Sequence, residues 1–145
     1  MADFALHLVV ADVPQAITFY EDAFGATVTR VLHLPDGSFA TAELDLDGLP
    51  IAVAAPVPGT TLSTPASTNT SVAAFRLTVP DADAAVDRAV SAGGRLHSAV
   101  QDAFWGVRTG EVLDPSGHRW AFEQPLQEVP IEQIEARIAA MFGGQ

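Results

Sequence analysis

The sequence predicts an α+β domain built from two tandem βαβββ modules followed by a C-terminal helix. Three observations carry this expectation. Apolar residues recur with a strand-like period in some stretches and a helical period in others. Residues suited to turns and helix caps stand where the period changes. The pattern of the first half then returns in the second at a fixed spacing.

Residues 1–55 read as the first module. Phe4 to Val10 is mostly apolar and partly β-branched, as a strand buried on both faces would be, and Asp12 with Pro14 marks a helix start. Ala16, Ile17, Tyr20 and Phe24 keep helical spacing, and Gly25, free to adopt positive φ, closes the helix. A strand from Thr27 to Leu34 follows, Pro35-Asp36-Gly37 turns into the alternating stretch Phe39 to Leu46, and Asp47-Gly48 turns into Pro50 to Ala55. Residues 56–71, rich in Pro, Ser, Thr and Gly, can bury little apolar surface and are expected to form an exposed linker or mobile loop.

Residues 72–125 repeat the first module. Leu8, Val10, Asp12, Ala16, Ile17 and Gly25 correspond to Leu77, Val79, Asp81, Ala85, Val86 and Gly94, each pair 69 positions apart. Strands are expected at Arg95 to Val100, Gly106 to Asp114 and Gly117 to Glu123. In residues 126–145, the stretch Ile131 to Phe142 sets Ile131, Ile134, Ile138 and Met141 on one helical face, which should dock on its own chain or a partner subunit.

Composition narrows the chemistry. A chain of 145 residues fits one domain. A net charge of −11 argues against nucleic acid and anionic membrane as partners, since either needs a basic face. All seven cationic side chains are arginine and cysteine is absent, which removes Schiff-base, thiolate, Cys-zinc and disulfide chemistry. Carboxylates, four histidines, hydroxyls and Tyr20 remain. The N-terminal apolar run has no basic flank and is broken by His7 and Asp12, so a cytoplasmic location is expected.

LVVADVPQAITFYEDAFGA at Leu8 to Ala26, FWGVRTGEVLDPSGHRW at Phe104 to Trp120 and IEQIEARIAAMF at Ile131 to Phe142 resemble the vicinal oxygen chelate superfamily, also called the glyoxalase/bleomycin-resistance/dioxygenase fold, and within it the PhnB-like branch. The resemblance implies paired modules that each curve into a half-cup, and commonly a homodimer. Metal-using members place one ligand on the first strand of each half and a carboxylate on a last strand. The corresponding positions here fall at Ala5, Ala74 and Ala121, with Ala54 as the fourth by pseudo-symmetry, and alanine coordinates nothing. No metal or other cofactor is therefore expected. His7 and Glu123 share strand faces with Ala5 and Ala121, but Arg76 is the counterpart of His7, and its charge would repel a divalent ion.

Strand parity points His7 and Arg76 into the cup, with Thr41, Glu43, Thr78, Arg119 and Glu123 as further wall residues and Phe104-Trp105 as a stacking surface. Trp120 faces a helix on the same parity. Arg76 and Glu123 either form an ion pair across two strands beside an interior His7, or join His7 in orienting a polar ligand in an apolar pocket. His118 fixes the turn before the closing strand, and His33 and His97 read as ordinary strand residues. Neither Gly93-Gly94 nor Gly143-Gly144 has the context of a phosphate loop, and no serine has that of a nucleophile.

The expected function is a metal-independent binding protein that holds a partly hydrophobic small molecule, as the superfamily's drug-sequestering resistance proteins do. Two alternatives stand beside it. One is a metal-dependent lyase, isomerase or dioxygenase using a shifted site around His7 and Glu123; the other is a non-catalytic structural or regulatory dimer module.

Overall fold

The computed structural model describes residues 4–143. In chain order the elements are β1 (Leu6–Val9), α1 (Val13–Phe24), β2 (Thr27–His33), β3 (Phe39–Leu46), β4 (Leu49–Ala54), α2 (Pro65–Thr68), β5 (Ala74–Thr78), α3 (Ala82–Ser91), β6 (Arg95–Asp102), β7 (Val107–Leu113), β8 (Arg119–Pro125) and α4 (Ile131–Phe142). Each module is a four-stranded sheet, ordered β1-β4-β3-β2 and β5-β8-β7-β6. The pairs β1–β4 and β5–β8 are parallel and the remainder antiparallel.

The repeat reaches individual hydrogen bonds. Asp12 caps α1 by accepting from the Gln15 amide at 2.9 Å, and Asp81 caps α3 by accepting from the Ala84 amide at 3.0 Å. The helix ends differ. Gly25 closes α1 at φ 69°, whereas α3 ends at Ala92 and Gly93 takes the positive φ of 115°. Gly94, aligned with Gly25 by sequence, is instead required for close approach: a Cβ there would stand 2.5 Å from Val112 Cγ1 and 2.9 Å from the Ala89 carbonyl oxygen.

The two helices lie side by side, α1 on β3 and β4, α3 on β6, β7 and β8. One core joins them: Ala42, Leu44, Ile51 and Val53 from the first sheet, Phe19 and Tyr20 from α1, and Val112, Trp120 and Phe122 from the second. Burying each large member stabilises the fold by about 1.5–3 kcal/mol. As parity required, Trp120 is 1% exposed and its ring meets Phe24 of α1 at 4.8 Å. His7 is exposed while Leu8 beside it is buried. The sheet faces bearing His7 and Arg76 are thus turned away from the shared core, and no strand of one sheet contacts a strand of the other.

A polar stitch crosses between the modules at the β7–β8 turn. The buried Asp114 carboxylate accepts from the Tyr20 hydroxyl at 2.5 Å and the Trp120 indole N–H at 3.0 Å through Oδ2, and from the Ser116 and His118 amides at 3.0 Å through Oδ1. In the same turn, Ser116 Oγ accepts from the Ala11 amide at 3.0 Å and the His118 Nε2–H donates to the Val9 carbonyl at 2.7 Å. Hydrogen bonds to an ionised partner contribute about 1.5–3 kcal/mol each. His118 thereby has the turn-fixing role expected of it, and the bond is made to the other module.

The linker is exposed along most of its length, as its composition suggested, yet it is fastened to the β7–β8 turn. Thr64 is buried and caps α2, the Ala66 amide donates to the Ser116 carbonyl at 3.0 Å, and the Ser71 hydroxyl donates to the Gly117 carbonyl at 3.4 Å. Backbone and hydroxyl pairing to the β7–β8 turn, which hydropathy does not register, holds it down. In the chain by itself α4 buries no side chain and leaves Ile131, Ile138, Met141 and Phe142 exposed. Its Arg137 guanidinium stands 5.5 Å over the Phe104 ring. Among the described residues, no helix is long and apolar enough to cross a membrane.

Burial, then the adjacent Asp114 carboxylate, raises the Tyr20 phenol well above its ordinary value of 10.0. The folded state thus favours neutral Tyr20, a contribution fully present below pH 10 and lost as pH rises above it. Tyr20 is the chain's single tyrosine and there is no lysine or cysteine, so no other side chain titrates in that window. Stability measured by urea unfolding should fall by about 1.4 kcal/mol per pH unit above 10. Tyr20→Phe should flatten that slope and cost about 1.5–3 kcal/mol at pH 7; an unchanged slope contradicts the assignment.

Candidate ligand-binding site

Alternation along β5, β7 and β8 builds a polar outer face on the second sheet. Opposite the half-buried Phe75 and Leu77 and the buried Trp120 and Phe122 stand Arg76, Thr78, Arg119, Ala121 and Glu123, with Thr109 and Glu111 beside them on β7. A recess of about 540 Å³ opens on this face, with Ala74 and the buried Ala121 on its wall and Arg76, Glu111, Glu123 and Trp105 around it. Small side chains supply the room and charged ones the polarity.

Two ion pairs lie on this face. Arg119 Nη2 donates to Glu111 Oε1 at 2.6 Å, a short charge-assisted bond. Arg76 Nη1 and Glu123 Oε2 are 3.8 Å apart, beyond hydrogen-bond range, and the Arg76 side chain is 70% exposed. A contact so long and so wet contributes little to stability, and it leaves the guanidinium donors available to a guest. At the β6–β7 turn Phe104 and Trp105 meet edge to face, with centroids 4.9 Å apart. Trp105 borders the recess, whereas Phe104 is half-buried behind it, under Arg137.

Of the side chains picked out by sequence, the structure brings Arg76, Glu123 and Trp105 together. Thr78 lies opposite Glu123 in register but also borders a separate groove of about 450 Å³ between the modules, with Leu77 and Phe122. His7, Thr41 and Glu43 belong to the outer face of the first sheet, where Glu43 pairs with Arg30. The trio of His7, Arg76 and Glu123 is therefore not assembled within one chain, because the core helices separate the faces that carry it. Glu111 and Thr109 went unweighed in the sequence; their alternation with the buried Gly110 and Val112 was the available signal.

The alanine positions divide the same way. Ala5 and Ala54 lie on the first module, Ala54 opposite Thr41, and Ala74 and Ala121 on the second, Ala121 opposite Arg76. Among the described residues, no group of three or more His, Cys, Asp or Glu gathers closely enough to hold a metal ion. Among the described residues the donors do not fit the divalent site of the fold's metal-using members, and the shifted pair His7 and Glu123 is split between sheets.

Comparison with known proteins agrees with this fold. The chain is 38% identical over 141 residues to an uncharacterized protein of Mycobacterium bovis, covering 95% of this chain and 93% of that one. A solved gene product from Arabidopsis thaliana superposes with a TM-score of 0.69 at 32% identity, covering 85% of this chain and 98% of the other. A glyoxalase/bleomycin resistance protein/dioxygenase family enzyme from Burkholderia phytofirmans has the same fold, with a TM-score of 0.66 at 18% identity over 84% of this chain and 97% of its own. Residues 3–122 match the family model that unites such modules, and the chain belongs to the Glyoxalase/Bleomycin resistance protein/Dioxygenase superfamily.

Proposed function

We propose that this chain is a metal-independent small-molecule binding protein of the sequestration or resistance type, within the PhnB-like branch of its superfamily. The observation that carries this reading is the alanine at each position where the family's metal ligands would stand, two of which, Ala74 and Ala121, line a recess. The guest is held by shape against Ala74, Ala121 and Trp105 and oriented by Arg76 and Glu123. A partly hydrophobic molecule with one polar group satisfies both demands.

The working unit is a homodimer. Each outer face is open in one chain, and the apolar stripe of α4, with Ile138 and Met141 exposed, has no cover within it. A second copy placing its first sheet over the Arg76 face would unite His7, Thr41 and Glu43 with Glu123 across the subunits.

A thermal-shift screen of aromatic compounds bearing one polar group should return a guest that stabilises the protein by about 2.7 kcal/mol at one hundred times its Kd. Arg76→Ala and Trp105→Ala should each weaken that guest about tenfold without lowering the melting temperature of the free protein. Stoichiometric metal after metal-supplemented purification, lost in His7→Ala, would instead support the enzyme reading. Sedimentation should give twice the chain mass of 15.2 kDa, and Ile138→Asp should return it to one chain; a monomeric wild type defeats the dimer.

A further inference from the structure

The second sheet carries another recess on its outer face, at the end away from the Phe104–Trp105 turn. It lies where β6 and β8 begin and β7 ends, closed on one side by the linker, and encloses about 390 Å³. Arg95, His97 and Arg119 line it from the sheet, and Asn69, Thr70 and Ser71 from the linker.

The charge there is unusual for this molecule. The chain has a net charge of −11 and seven arginines, yet two of those arginines and one of four histidines border this one recess. Among the described residues, neither Arg95 nor His97 has an acidic partner within ion-pair distance. Arg119 gives one nitrogen to Glu111, while its Nε is buried without an acceptor. Asp114 is near Arg95, but both its oxygens are already committed to the inter-module stitch. Positive charge in excess of its local counter-charges, in a concave site, attracts an anion.

The recess is also built in advance. α2 is capped by Thr64, the Ala66 amide bonds Ser116, and Ser71 bonds Gly117. Gly117 lies so close that a Cβ on it would stand 2.7 Å from the Ala66 nitrogen. With Ser71 committed to Gly117, the Thr70 hydroxyl and the Asn69 amide are the linker donors left beside the guanidinium groups. Paired guanidinium N–H groups match the oxygens of a tetrahedral anion, and hydroxyl and imidazole donors suit the oxygens that remain.

We propose that this recess is a phosphate-binding site, taking inorganic phosphate or the terminal group of a phosphomonoester. It uses side chains in place of a glycine-rich loop, and so carries none of the spacings by which phosphate loops are recognised in sequence. The Arg119–Glu111 pair stands between it and the recess of Arg76 and Glu123, so the two sites are tested separately.

The test is calorimetric titration of the full chain at pH 7 and constant ionic strength, with inorganic phosphate, phenyl phosphate and chloride as probes. One saturable phosphate site per chain, indifferent to chloride, is expected. Arg95→Gln should weaken phosphate about tenfold and His97→Asn by a smaller factor, while Arg137→Gln, an equal loss of charge on α4, should leave it unchanged. Tighter binding of phenyl phosphate than of phosphate assigns the site to a monoester, and the reverse to the free ion. Arg95 and His97 are both exposed, so circular dichroism of their variants should match the parent. Non-saturable heats, equal responses in Arg95→Gln and Arg137→Gln, or a change in sedimenting mass without a change in phosphate affinity would each overturn the proposal. The aromatic screen can fail while this result stands, and the reverse also holds.

Discussion

One buried carboxylate organises this molecule. Asp114 gathers Tyr20 from α1, Trp120 from β8 and two amides of its own turn, and the turn so fixed reaches β1 through His118 and the segment after β1 through Ser116. Removing any donor would leave polar groups stranded in a core whose other members offer no hydrogen bonds, at about 1–3 kcal/mol apiece. Because the partners belong to both modules, their relative placement is set by directional bonds as well as by apolar packing.

That placement decides what the rest of the chain can do. Once Tyr20 and Phe24 face Trp120, the inner faces of both sheets are consumed by the helices, and the outer faces are left open. The open faces are where alternation deposits the charged residues: Arg30 with Glu43 on the first sheet, and Arg76, Glu111, Arg119 and Glu123 on the second. Ion pairs on a wet sheet contribute little to stability, so their value lies in what they present to a guest. The same turn fastens the linker through Ser116 and Gly117, giving the second sheet a wall that a mobile segment could not supply.

Helix α3 is tied independently at its N-terminal turn. Arg108 grips Asp83 with two nitrogens, at 2.7 and 3.1 Å, and Asp102 with a third at 2.9 Å. The hydrogen bonds from Arg108 hold the Asp83 carboxyl below its usual range, and both acids push the guanidinium further up. This clamp consumes an arginine that could otherwise be counted among binding groups, as the Arg30–Glu43 pair does on the first sheet.

By itself, the sequence determined the elements other than α2, the duplication and the parity of the strands, because these follow from local periodicity and from Asp and Gly at chain reversals. The paired Asp12 and Asp81 caps, the inward Trp120 and the outward His7 and Arg76 were legible for that reason. Tertiary structure alone decided that His7 would not meet Arg76 in one chain, that the Ser- and Thr-rich linker would be fastened to a turn, and that Arg95, His97 and Arg119 would share a recess. Each of those depends on which faces two modules turn toward each other. That choice is made by long-range contacts such as Tyr20 with Asp114, whose 94-residue separation leaves no periodic trace in the chain.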